Sequence, residues 1–276
     1  MNSVPQDKKI RISLRERDLR GSKFRCLLLT SLPRDQVASV LNATVSPIAT
    51  VTDKDLWMPD GFRDPLEARL DDPRRRPKFP EAMGEKLDAL KSWWLKRFKG
   101  ANTPNWDIVS TCDIRDHGRG ILLVEAKAHN RELHDEGKPP GNSDNDEKIG
   151  EAIAEANKGL NAISPGWDLR SDLCYQMANR FAWAWKLAEI GIPAILVYLG
   201  FLNASEMASN GQEALKSSAH WDCLVREHAR KAGISSVEAF EHVLQTNKAP
   251  MWALIRTLDL KWQSDGQPGK TRSASA

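Results

Sequence analysis

Apolar positions along the chain fall into runs of two periods. Residues 106–114 (WDIVSTCDI) and 121–128 (ILLVEAKA) are rich in β-branched and aliphatic side chains, with Arg115-Asp116-His117-Gly118-Arg119-Gly120 between them. Two such runs around a glycine-containing turn predict an antiparallel hairpin. Residues 193–202 (PAILVYLGFL) are apolar almost throughout, as expected of a strand covered on both faces. Residues 24–31 (FRCLLLTS), closed by Leu32-Pro33, read as a further buried strand.

Helical spacing appears elsewhere. Leu87, Leu90, Trp94 and Phe98 recur along residues 81–98, with Pro80 just ahead. Two more helices are expected over residues 147–163 and 171–190, the second capped by Asp168 or Ser171 and ended by Gly191. Residues 52–80 are rich in Pro, Asp and Arg without a period, and residues 129–147 carry Pro139-Pro140-Gly141-Asn142, so both are expected to be long loops. Residues 203–262 look mostly helical, residues 263–276 a disordered tail, and residues 1–22 a basic, mobile arm. The pattern divides into an N-terminal arm and extension (1–79), a central core (80–203), a helical segment (204–262) and the tail (263–276).

Composition narrows the class. With 276 residues, 41% hydrophobic and 28% charged, the chain can bury a real core without staples. None of its four cysteines, Cys26, Cys112, Cys174 and Cys223, forms a CxxC pair, which suits free thiols in a reducing, cytoplasmic compartment. The N-terminus is polar and charged rather than a secretory leader. The longest apolar run, 192–202, is too short to span a bilayer and contains Pro193 and Gly200, so no membrane role is expected. Net charge is only +3, but it is unevenly spread: Lys8, Lys9, Arg11, Arg15, Arg17, Arg20, Lys23 and Arg25 form one basic stretch, and Arg74-Arg75-Arg76-Pro77-Lys78 another. Either could meet a phosphate backbone or be a solvated surface.

Candidate chemistry lies in the hairpin. Glu125 and Lys127 alternate with Ala126 and point to one face of their strand. The expected register sets Asp107 opposite residues 127–129, near Glu125. Neighbouring carboxylates repel unless a hard divalent cation lies between them, and a lysine beside them can orient water or stabilise developing phosphorane charge. Asp113 shares parity with Asp107 but lies further from Glu125. The acid-x-Lys triplet recurs at Asp7, Glu136, Asp146 and Asp259; only Glu125-Ala126-Lys127 closes a strongly apolar strand with an Asp in the paired strand. Glu81 and Glu85 share a helix face ahead of the hairpin, and Gln176 and Arg180 share one after it. Phe181, Trp183, Trp185 and Leu187 on that second helix read as core packing.

In this order and with these residues, the middle of the chain resembles the PD-(D/E)xK, or restriction-endonuclease-like, nuclease superfamily. The resemblance implies an α/β fold: a mixed central sheet flanked by helices, here with an N-terminal extension and a C-terminal helical segment. It further implies Mg²⁺ or Mn²⁺ held by Asp107, Glu125 and the Ala126 carbonyl, with Glu85 as the family's helical acid. Lys127 would position the attacking water. Gln176 matches the family's helical Gln, although Arg180 stands where the RecB-like branch has Tyr, and Arg180 would meet a phosphate or a core acid. Arg74, Arg75, Arg76 and Lys78 would track nucleic acid. The implied reaction is phosphodiester hydrolysis, with DNA the expected polymer and a homodimer admitted. The alternative is a non-catalytic nucleic-acid-binding or assembly module on the same fold.

Other signals are weaker. Gly269-Lys270-Thr271 lacks the first glycine of a phosphate loop, since Ser264 stands there. His220, Cys223 and His228 have loosely zinc-like spacing but no fourth ligand. His129 and His134 follow Lys127 and could reach the site, although a solvent-exposed pair is the expected reading.

Overall fold

The computed structural model describes residues 20–139, 141–207 and 213–261, so the tail and most of the basic arm lie outside the described residues. In chain order the helices are α1 (Gly21–Thr30), α2 (Arg34–Val45), α3 (Glu81–Trp94), α4 (Ser143–Ile163), α5 (Tyr175–Glu189) and α6 (Ser218–Lys231). The strands are β1 (Ala49–Thr50), β2 (Trp57–Met58), β3 (Ile108–Ile114), β4 (Gly118–Lys127), β5 (Ala194–Phe201), β6 (Val243–Gln245) and β7 (Pro250–Leu258). They build one mixed sheet in the order β1-β3-β4-β5-β7-β6, with β2 also on β3.

The hairpin of β3 and β4 is antiparallel, β4–β5 and β5–β7 are parallel, and β6–β7 is antiparallel. Alternation sorts the β4 side chains. Leu122, Val124 and Ala126 join a cluster with α1 and α2, while Ile121 and Leu123 join one with α3, α4, α5 and α6. The sheet is therefore covered on both faces, as its continuous apolar strands require. Glu125 and Lys127 extend the Ile121–Leu123 row and so face α5. The aromatics of α5 are core, with Phe181, Trp183 and Trp185 all buried.

Two expectations are corrected. Residues 24–31 are not a strand but most of α1. Leu27, Leu28 and Leu29 are good helix formers, and the helix is buried nearly all round, which removes the polar stripe that would have marked its period. The C-terminal segment is not mostly helical: α6 is there, but β7 lies beside β5 at the heart of the sheet. Its Pro250 stands at the first strand position, where a missing N–H is tolerated.

The hairpin register also differs from expectation. Ile114 pairs with Gly118 and Ile108 with Val124, so the turn is the three residues Arg115-Asp116-His117. Asp116 and Gly118 both take positive φ, 64° and 72°. Continued by one residue, this register sets Asp107 alongside Glu125 rather than opposite 127–129. Asp113 pairs with Arg119 at the far end of the hairpin.

Candidate active site

A cleft of about 480 Å³ opens where β4 ends against α5. Its walls bring together Asp107, Glu125, Lys127, Gln176 and Arg180, residues from three separate stretches of sequence. Glu125 and Lys127 are 2% and 5% exposed, which means that each charge must be matched within the protein.

The matching is explicit. Lys127 Nζ donates to Glu125 Oε1 at 2.5 Å and to Gln176 Oε1 at 2.9 Å. Arg180 Nε donates to Glu125 Oε2 at 2.6 Å. The remaining Arg180 nitrogens bond Asn179 Oδ1 and the Asn105 carbonyl, both at 2.7 Å, and the guanidinium lies 4.6 Å from the Trp106 ring centroid. Arg180 is therefore a buried partner of Glu125, the core acid rather than the phosphate of the two partners expected for it. Helical spacing explains the pairing: Gln176 and Arg180 lie one turn apart and reach Lys127 and Glu125 in turn.

The Ala126 N–H donates to Asp107 Oδ2 at 2.7 Å, leaving Oδ1 for another ligand. Burial, and then the Glu125 carboxylate, push the Asp107 carboxyl up to about 8. Burial works in the same direction on Glu125, but the Arg180 and Lys127 charges outweigh it and hold Glu125 below the usual range. Burial also opposes the Lys127 charge, yet Glu125 and Asp107 hold its ammonium above the ordinary lysine value. The two acids thus sit in adjacent but unequal fields: two cations offset burial at Glu125, whereas burial and the neighbouring Glu125 charge raise Asp107.

Two further acids enter the cleft from segments expected to be loops. Glu67 arrives because Ala68 exchanges both backbone hydrogen bonds with Trp106, at 3.0 and 2.9 Å, so residues 67–68 lie beside residues 105–107. Asn105 Nδ2 then donates to Glu67 Oε2 at 3.0 Å. Glu132 caps the backbone instead, accepting from the Ser22 and Ala128 N–H groups. Neither was found from sequence, since both stand in polar stretches without a period. Tyr175 and Asn179 line the same wall, and helical spacing from Gln176 and Arg180 could have identified them. His134 also lines the cleft, whereas His129 is buried and held low by that burial.

Glu85 is not brought to this place. It is exposed on α3 and absent from the lining. The basic run is largely engaged elsewhere. Arg75 donates to the Glu67 carbonyl, Arg76 to the Leu70 carbonyl and Asp88, and Arg74 to Asp72, while Lys78 is exposed. From the described end of the N-terminal arm, Arg25 is buried against Glu206 at 2.6 Å, and Lys23 reaches the cleft.

No family model matches the sequence, and neither a curated protein nor a solved structure matches it. The functional reading therefore rests on the cleft itself. A second cleft of similar volume, between the end of α3 and α4, is rimmed by Lys96 on Asp144 and Lys148 on Glu151. These are surface ion pairs of the kind that solvent and salt weaken. Of these two clefts, it is the β4–α5 cleft that combines deep burial with perturbed carboxylates, the usual mark of a functional site. Among the described residues no helix is long and apolar enough to cross a membrane.

Proposed function

We propose that this chain is a metal-dependent nuclease with a PD-(D/E)xK-like, restriction-endonuclease-like core, hydrolysing phosphodiester bonds, with DNA the expected substrate. The observation that carries the reading is Lys127, a buried lysine held between Glu125 and Gln176 beside a second carboxylate, Asp107.

The donor set fits a hard divalent cation. Glu67, Asp107, Glu125 and Glu132 line the cleft beside Lys23, Lys127 and Arg180, and supply the oxygen ligands that Mg²⁺ and Mn²⁺ prefer. Asp107, Glu125 and the Ala126 carbonyl would hold the ion, and Glu67 takes the place foreseen for Glu85. Bound there, such an ion lowers the pKa of its water and polarises a phosphoryl oxygen. Lys127 then orients the attacking water and offsets charge on the phosphorane. Gln176 fixes the Lys127 amine through its amide oxygen. Arg180 acts by positioning Glu125. Lys23 and His134, which line the cleft wall, would receive the phosphate backbone.

A second reading has its own support. Both oxygens of Glu125 already accept from cationic side chains, a balance that a non-catalytic nucleic-acid-binding or assembly module could keep without a metal. Cleavage of supercoiled, linear and single-stranded DNA, with and without Mn²⁺, separates the two. Wild type should cut only with the metal. Lys127→Ala and Asp107→Ala, folded by circular dichroism, should each lose at least about 100-fold, the scale of removing one transition-state donor. Variants as active as wild type would falsify the assigned residues. Absence of Mn²⁺ binding by calorimetry at millimolar metal would leave the binding module.

A further inference from the structure

Outside the cleft, the described residues hold one cluster of metal-ligating side chains: Asp135, Cys174 and His228. The distances are 3.8 Å from Cys174 Sγ to Asp135 Oδ1, 3.7 Å from Cys174 Sγ to His228 Nδ1, and 3.1 Å from His228 Nδ1 to Asp135 Oδ1. A zinc tetrahedron has bonds of about 2.3 Å to sulfur and about 2.0–2.1 Å to nitrogen or oxygen, so its edges are ~3.5 Å from sulfur to either light atom and ~3.3 Å between the light atoms. The three atoms therefore already stand close to one face of such a tetrahedron.

The scaffold is set by backbone. The Cys174 N–H donates to the Asp135 carbonyl at 3.0 Å and the Tyr175 N–H to the Glu136 carbonyl at 3.2 Å, which lashes the loop after β4 to the start of α5. His228 comes from the last turn of α6, and both Cys174 and His228 are buried. Asp135 is half exposed and opens the cluster to solvent. Lys231 Nζ holds its other oxygen at 2.9 Å, as the carboxylate ligand of a metal is commonly held by an outer partner.

We propose that Asp135, Cys174 and His228 bind one borderline-soft transition-metal ion of the Zn²⁺ class, with the fourth position open to water. The mixed sulfur, nitrogen and oxygen donors select against Mg²⁺ and Ca²⁺, which take oxygen ligands. Such an ion pins three segments together: the loop after β4, the first residue ahead of α5, and α6. Gln176 and Arg180 follow on the α5 so anchored. The site is separate from the carboxylate cleft and stands or falls without it.

The test uses the full chain, reduced and stripped of metal, titrated with Co²⁺. A thiolate-to-cobalt charge-transfer band should saturate at one equivalent and be displaced by Zn²⁺. Cys174→Ser should abolish it, Cys223→Ser and Asp107→Asn should keep it, and Asp135→Ala should weaken cobalt binding at least tenfold. Asp135 is exposed enough that this last variant should fold even if replacement of the buried Cys174 does not. No charge-transfer band, a band that survives Cys174→Ser in folded protein, or unchanged affinity in Asp135→Ala overturns the proposal.

Discussion

Asp107 and Glu125 are neighbours with opposite electrostatic fates, and that asymmetry has a measurable consequence. Asp107 keeps its proton up to about 8 in the folded chain, against ~3.9 for an unfolded aspartate. Between those values the folded state binds more protons than the unfolded one, so this group's stability contribution is full below about pH 4 and is lost as pH rises through about 8. Glu125 and Glu67 raise the value after burial, while Lys127 and the Ala126 N–H lower it. Glu125 itself, held low by Arg180 and Lys127, has the opposite slope and loses its contribution as pH falls below the usual carboxylate range. Calorimetric melting of metal-free protein should therefore show a fall between about pH 5 and pH 8.5, and Asp107→Asn, which cannot ionise, should remove it. Each kcal/mol of this linkage is worth about 2–4 °C for a chain of this size. An identical pH profile for the variant would show that Asp107 titrates normally. In the same range, Mn²⁺ must displace the proton to bind, so its affinity should rise with pH.

At the scale of elements, the cleft depends on how closely α6 approaches the sheet. Lys127 of β4 pairs in register with Gly200 of β5. A methyl group at Gly200 would stand 2.7 Å from Trp221 Cγ, and Trp221 is fixed by an Nε1 bond to the Tyr198 carbonyl at 3.1 Å. Gly200→Ala should therefore push Trp221 off the sheet, destabilise by about 1–3 kcal/mol and change the tryptophan emission. Gly150→Ala on α4 is the control: nothing lies within 4 Å of the added carbon, and helix propensity alone should add about 0.5–1 kcal/mol. Equal effects in urea denaturation would rule out the close-approach argument. These elements were unequally legible in the sequence. The hairpin and β5 could be read because alternation and an unbroken apolar run are local signals. Helical spacing put Gln176 and Arg180 on one face, and the family resemblance singled out Gln176. Helix α1 could not be told from a strand, because an all-buried helix loses its polar face. Glu67 carried no signal, since only the pairing of Ala68 with Trp106 brings it to the cleft, and that pairing is tertiary.

For the whole molecule, the sequence suggested a core confined to residues 80–203, but the sheet crosses both of those boundaries. That segment contains β3, β4, β5 and the helices on one face. It lacks α1 and α2, which cover the other face, and β7, the parallel neighbour of β5. Without them Leu122, Val124, Ile195, Val197, Leu199 and Phe201, all buried in the intact chain, would face water. At about 1.5–3 kcal/mol for each large apolar side chain, the loss is comparable with the ~5–15 kcal/mol by which a domain is stable. The fragment 80–203 holds Asp107, Glu125, Lys127, Gln176 and Arg180, yet it should not assemble them. Expressed alone, it should aggregate or bind a hydrophobic dye as a loosely packed state, and it should show no Mn²⁺ binding, while residues 20–261 melt in a single cooperative transition. A sharp transition and dispersed amide resonances from 80–203 would mean that the flanking helices and β7 are accessories. Their absence would mean that the carboxylate cleft is a property of the complete sheet, held in register by pairings as distant in sequence as Ile121 with Ala194.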